Sequence, residues 1–420
     1  MKTLIKNIKQ IFGVTKNNNT ELKCGNDMSE IEIIENGWIL IENDIISDFG
    51  EMKKFTGIDD WNNTKIIDSD NGSVIPTWCD SHTHIVYAGN RSGEFVDRIN
   101  GLSYEEIAKN GGGILNSAEL LSKTSFDELY KQSSERLKKI IKLGTGAIEI
   151  KSGYGLNTHN EIKMLQVINE LKNNFPIKIK STFLGAHAVP QNMSQENYVN
   201  LIINEMIPEI AKQDLADYID VFCDKGFFSP EQTEKILLCG KKHDLKPKIH
   251  ANELACSGGI QVGVKNNAIS VDHLQFTGSE EINLLKKSNT IATLLPGTAY
   301  FLNLKYPPAR KMIDSGLSVA LASDYNPGSF PSGNMSFIFS LACTIMKMNP
   351  IEAFNALTIN GAYAMEAQDE LGNISKGKKA NLILTKRIPN LEYIPYSVAE
   401  NFIDKVIING KIHQDSETNY

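Results

Sequence analysis

Two histidines spaced two apart, in Asp80-Ser81-His82-Thr83-His84, follow the apolar run Val74-Ile75-Pro76-Thr77-Trp78-Cys79. The run reads as a buried strand. Alternate strand residues point the same way, so both imidazoles lie on one side, where they can chelate a divalent ion. Two histidines near a strand end can equally be hydrogen-bonded structural residues, and the pair alone does not decide between the two. Three more of the eight histidines stand where apolar runs give out: His187 after residues 179–186, His250 after Lys248-Ile249, and His273 after residues 269–272. A fourth run, 317–323, ends in Asp324. Core histidines have no reason to prefer strand ends, whereas the active site of a parallel barrel forms at the carboxyl ends of its strands.

On that geometry His82, His84 and His250 supply nitrogen ligands and Asp324 an oxygen. Such a set holds one divalent transition metal per chain, zinc or iron, with a position left open for water. A metal in this setting lowers the pKa of water from about 15.7 toward about 7 and polarises a carbonyl. Asp324 can also accept a proton, and His273, at a neighbouring strand end, can stabilise a developing oxyanion. Glu253, three residues past His250, is expected to carry a proton to a leaving nitrogen.

The elements that must position these groups follow from the hydrophobic pattern. Candidate strands fall at about 74–79, 145–151, 178–186, 218–223, 247–250, 268–273, 290–294 and 317–323, separated by helical stretches. Apolar strands alternating with helices are the signature of βα units, and eight of them close a barrel. Ser125 and Ser229-Pro230 read as helix starts. The first 70 residues and the last 50 carry short alternating strands, with Trp38–Ile41 turning through Glu42-Asn43-Asp44 into Ile45-Ile46. The expected fold is therefore α/β, a (β/α)8 TIM-like barrel over 73–370. Residues 1–72 and 371–420 together build a small β-sandwich-like domain. An open doubly wound sheet is the rival, but it would spread these strand ends along one edge.

Composition narrows the class of function. The 420 residues carry a net charge of −7, with 41% hydrophobic and 22% charged residues. An acidic balance gives no footprint for nucleic acid. No run has the length of a membrane span, and the first residues are too often charged for a signal peptide, so a cytoplasmic protein is expected. Six scattered cysteines with no Cys-x-x-Cys pair point to reduced thiols. Gly111-Gly112-Gly113 lacks the lysine and hydroxyl that follow a phosphate loop and reads as an active-site loop.

The combination of His82-Thr83-His84, His250, His273 and Asp324 resembles the amidohydrolase superfamily. The absence of a strand-borne lysine bridging two metals agrees with its mononuclear members. Residues 149–156 (Glu-Ile-Lys-Ser-Gly-Tyr-Gly-Leu), 182–190, 221–224, 294–298 and 321–329 are similar, more narrowly, to the imidazolonepropionase family of histidine degradation. The resemblance covers nearly the whole chain. It implies hydrolysis of 4-imidazolone-5-propanoate to N-formimidoyl-L-glutamate by a homodimer. Carried over residue by residue, Arg91 pairs with the propanoate and Tyr154 and His187 contact the ring. Glu253, Asn326, Gly328 and Ser329 hold other polar groups of substrate or product. Asp224 stands where glutamate is frequent and Asn381 where aspartate is common, both departures of little weight for the site. The alternatives are a deaminase of a nucleobase such as guanine or cytosine, and a non-catalytic barrel used for protein association.

Overall fold

The computed structural model describes residues 2–15, 21–102, 106 and 112–415. Gly111 of the triple glycine lies outside them. Among the described residues no helix is long and apolar enough to cross a membrane.

Five strands come first: β1 (Lys2–Val14), β2 (Glu32–Glu42), β3 (Ile45–Glu51), β4 (Thr64–Asp68) and β5 (Val74–Pro76). The barrel follows with β6 (Trp78–Thr83), β7 (Thr145–Lys151), β8 (Lys178–Ala186) and β9 (Tyr218–Cys223). It continues through β10 (Lys246–Ala251), β11 (Ser270–His273), β12 (Ile291–Leu294) and β13 (Val319–Leu321). The chain ends with β14 (Leu382–Thr385), β15 (Ile403–Ile408) and β16 (Lys411–Asp415).

Strands β6 to β13 pair in sequence order, all parallel, with helices between them. The ring closes just beyond β13, where Thr83 bridges Tyr325. Asp324 N–H donates to His82 O at 3.0 Å and His84 N–H to Tyr325 O at 2.9 Å. Closure of the barrel thus brings Asp324 against both histidines of the first strand. Ser125 and Ser229 cap helices as their sequences predict, Ser125 accepting from Glu128 N–H and Ser229 forming a capping box with Gln232.

The two termini share a second, eight-stranded sheet in which β14 lies between β5 and β15, and β5 pairs with β1. Its apolar face joins Ile5, Ile8 and Ile11 to Leu382, Leu384 and Ile407. The turn after β2 is the hairpin expected, with Asn43 at φ +59°. One expectation needs correction: the run 74–79 is not a single barrel strand. Val74–Pro76 belongs to the terminal sheet, and the barrel strand starts at Trp78 and runs to Thr83, so that His82 lies inside it. Pro76 has no N–H to carry the ladder further, and the chain changes sheets at Thr77 beside it.

The helix Ile359–Ala364 packs on β6. A Cβ at Gly361 would stand 2.4 Å from Cys79 O, a backbone atom of the strand that carries His82. Gly361→Ala should therefore destabilise the protein by about 1–3 kcal/mol. The check is the midpoint of urea unfolding, and an unchanged midpoint would mean that the helix lifts off β6 without loss.

Candidate active site

The eight barrel strands are buried almost throughout, yet five of them carry buried carboxylates or ammoniums, β6 through Asp80. Glu149 and Lys151 lie on β7, Asp220 on β9, Lys248 on β10 and Asp272 on β11, all of them buried. Above this layer, at the carboxyl ends, the histidines converge. His84 Nε2 lies 3.3 Å from His82 Nε2 and 3.4 Å from His250 Nε2. Asp324 Oδ1 stands 3.6 Å from His82 Nε2 and 3.5 Å from His84 Nε2.

The backs of two rings are held by carboxylates. His82 Nδ1–H donates to Asp272 Oδ2 at 2.6 Å, and His250 Nδ1–H to Asp220 Oδ2 at 3.0 Å. That choice of tautomer leaves each Nε2 lone pair facing the centre. Burial above all holds His82, His84 and His273 well below the ordinary histidine range, so the rings stay neutral. Asp324 is fixed through its other oxygen, Oδ2, which accepts from Thr298 Oγ1 at 2.5 Å and Ser329 Oγ at 3.3 Å.

Two inward lone pairs, the Nε2 of His84 and a carboxylate oxygen converge, an arrangement that a cation at the centre satisfies. The ligand atoms of His82, His84 and His250 all lie within 4.8 Å of one another. Three nitrogens and one oxygen fit a divalent transition ion such as zinc or iron(II). The expectation that no strand-borne lysine serves as a metal bridge stands beside two such lysines, Lys151 and Lys248. Both are committed to carboxylates beneath the cluster rather than to its centre.

Around the cluster lies a cavity of about 690 Å³ lined by His84, Arg91, Tyr154, His187, Glu253, His273, Asp324, Asn326, Gly328 and Ser329 among others. The structure therefore brings the cavity-side candidates together. His187 stacks on His84, centroids 5.3 Å apart and planes 15° apart, and its Nδ1–H donates to Gly153 O. Burial above all pushes it down to about 3. Tyr154 lies 5.4 Å from His187, centroid to centroid. His273 Nδ1 is buried without a hydrogen-bond partner and 3.7 Å from Glu253 Oε2. Burial, then Asp324 and Asp224, pushes the Glu253 carboxyl up to about 8. Asp224 sets the turn that carries it, accepting from the N–H groups of Glu253, Leu254 and Ala255.

Arg91 is less simple than its sequence suggests. Its Nε and one terminal nitrogen are taken by Glu94 Oε2 at 2.8 and 2.6 Å. Its other terminal nitrogen lies where Gly328 has no side chain, since a Cβ there would be 2.1 Å away. Gly328 N–H is used inside its own turn, donating to Asn326 Oδ1, and Arg98 donates to Gly328 O. Asn326 likewise binds the turn, with Nδ2 on Asp324 O. Sequence reasoning missed Glu94, Thr298, Asp220, Asp272, Lys151 and Lys248. A usable signal existed for the last four, because a charge inside an otherwise apolar buried strand must be paired.

A parallel barrel with this cluster at its carboxyl mouth defines a metal-dependent hydrolase of the amidohydrolase class. Residues 240–413 match the amidohydrolase family model. Similar solved structures include a triazine hydrolase variant (TM-score 0.75, 14% identity, 99% of this chain and 95% of that one). Another is an E. coli guanine deaminase (TM-score 0.72, 14% identity, 99% of each chain). At such identities the likeness is one of fold. The sequence comparison is far tighter. An imidazolonepropionase from Christiangramia forsetii is 53% identical over 414 residues, 98% of this chain and 100% of that one. The Alkaliphilus metalliredigens imidazolonepropionase is 40% identical over 98% of each. The chain belongs to the imidazolonepropionase family.

The cluster makes a plain demand on metal content. Purified wild type should carry about one transition-metal ion per chain, and His82→Ala, His84→Ala or His250→Ala should keep less than roughly a tenth of it after dialysis. His187→Ala, which removes a ring stacked on a ligand but no ligand, should keep it. Elemental analysis decides, and a full complement of metal in any of the three ligand variants would contradict the assignment.

Proposed function

We propose that the protein hydrolyses 4-imidazolone-5-propanoate to N-formimidoyl-L-glutamate. Water adds to the ring carbonyl carbon, the bond from that carbon to the ring nitrogen breaks, and the nitrogen takes a proton. The observation that carries the reading is Arg91, a cation with its side chain only 10% exposed in the cavity that holds the histidine cluster. A bare nucleobase has no use for it, whereas a propanoate does. The reading agrees with 53% identity over nearly the full chain to relatives named imidazolonepropionase.

A divalent ion held by His82, His84, His250 and Asp324 would polarise the carbonyl and make the attacking water more acidic. The chain's own groups do the rest. Asp324, anchored through Oδ2, has Oδ1 turned toward the histidines and available to take the proton of the attacking water. His273, neutral and with a partnerless buried Nδ1, can donate to the carbonyl oxygen as charge develops on it. Glu253, pushed up to about 8, is protonated near neutral pH and can give its proton to the departing ring nitrogen. Tyr154 and His187, their rings tilted 55° to each other, offer aromatic faces on which a planar ring can pack. Arg91 binds the propanoate, and Glu94 keeps its guanidinium from turning away.

The direct test is to add freshly generated 4-imidazolone-5-propanoate to metal-loaded protein and follow its ultraviolet absorbance, with guanine and cytosine in parallel. Loss of the imidazolone supports the proposal. Ammonia release from either nucleobase, with the imidazolone untouched, would overturn it. Glu253→Gln should retain its metal and lose about a hundredfold in kcat. Arg91→Ala should raise KM more than about tenfold and lower kcat less, because it binds a part of the substrate that does not react. On an imidazolone lacking the propanoate, wild type and Arg91→Ala should be equally poor. A mutant that loses as much on the tailless compound as on the natural one would remove Arg91 as the carboxylate anchor.

A further inference from the structure

The layer of charge beneath the histidines has a shape that neither barrel packing nor the hydrolysis requires. Lys151 Nζ lies 2.5 Å from Glu149 Oε1, 2.8 Å from Asp220 Oδ2 and 3.8 Å from Asp272 Oδ2. Those last two oxygens are the ones that accept from His250 and His82. One ammonium therefore stands behind both ligand-holding carboxylates, with every side chain of the group at 0% exposure except His250 at 3%. Without a cation between them, two buried carboxylates that close repel and turn apart. Burial alone would lower the Lys151 pKa, but Asp220, Glu149 and Asp272 raise it above the ordinary lysine value, so it remains a cation.

Lys248 offers a built-in comparison. It is just as buried and also binds Glu149, but its other contacts are the carbonyls of Ser81 and Ala364, at 3.2 and 3.1 Å. Its charge acts on Asp272 through space, but its hydrogen bonds and ion pairs go to Glu149 and the two carbonyls, not to the carboxylate behind either ring.

We infer that Lys151 is a positioning residue of the metal centre: by spanning Asp220 and Asp272 it fixes the rings of His82 and His250, so that Nε2 of each faces the ion. It touches neither metal nor substrate. Removing it lets the two aspartates relax away from the imidazoles, the rings lose their orientation, and the ion is held less tightly. Removing Lys248 takes charge from the same layer but breaks no contact with the carboxylate behind either ring.

The inference rests on the metal reading of the site, and the experiment separates the two. Cobalt(II) affinity, measured by competition with a chromophoric chelator, and the visible cobalt spectrum are compared for wild type, Lys151→Met, Lys151→Gln and Lys248→Met. Unfolding midpoints are measured alongside. Lys151→Met and Lys151→Gln should bind cobalt roughly 10- to 100-fold more weakly, the effect usual for partners that orient a ligand, with displaced absorption bands. Lys248→Met, whatever its unfolding midpoint, should keep wild-type affinity and bands. Equal weakening by both lysines, or none by Lys151, overturns the inference, while a wild type that takes up no cobalt overturns the metal reading itself. Should neither Lys151 variant fold, nitrogen-15 spectra of metal-stripped wild type still decide. His82 and His250 must both show the Nδ1–H tautomer, and Nε2–H in either overturns the inference.

Discussion

Two carboxylates turned away from solvent, Asp220 and Asp272, each hold the back of a histidine, and the site depends on that contact. An unpaired buried carboxylate carries a desolvation penalty of several kcal/mol, which the imidazole N–H alone does not offset. The two lysines in the same layer supply the missing charge. With Glu149, which both lysines bind, the lysines and the two aspartates form a set of three carboxylates and two ammoniums at 0% exposure. A divalent ion above them would meet a field that is negative on balance, and neutral imidazoles already turned toward it. The polar layer is thus both a burden on folding and the hold that turns two of the three imidazoles toward the centre.

The barrel makes the convergence possible by geometry that no local stretch contains. His82 comes from the first barrel strand, His250 from the fifth and Asp324 from just beyond the eighth. Ring closure through Thr83 and Tyr325 joins the first to the last. The backbone also bends sharply at the rim. His273 has φ +82° and Asp324 φ +55°, a left-handed conformation that non-glycine residues adopt at some expense and that recurs at functional sites. At Asp324 the bend lets one residue leave the strand direction and present its carboxylate sideways to the histidines of β6.

Much of this was legible beforehand, for a physical reason. A parallel barrel buries both faces of its strands, so seven of the eight apolar runs stand out and end where the chemistry begins, as at His250, His273 and Asp324. The residues proposed as ligands could be picked out because they lie at or just past strand ends. The run at 74–79 misled because two short strands of different sheets follow each other with only Thr77 between them, and hydrophobicity does not mark which sheet a strand joins. Partners across the barrel were invisible for another reason: the His82–Asp272 bond spans 190 positions and the Lys248–Glu149 pair 99. Glu94 lay three residues from Arg91 and could have been found from helix spacing, but a neighbouring carboxylate reads first as a surface ion pair.

The most direct measurement is the position of the ion itself. Crystals of metal-loaded protein, with data collected on either side of the metal's absorption edge, give an anomalous difference map that locates it. The account predicts one peak per chain, about 2.0–2.3 Å from Nε2 of His82, His84 and His250, with an Asp324 oxygen beside it. A peak bounded by other residues, or a second ion bridged to the first through Lys151, would contradict it.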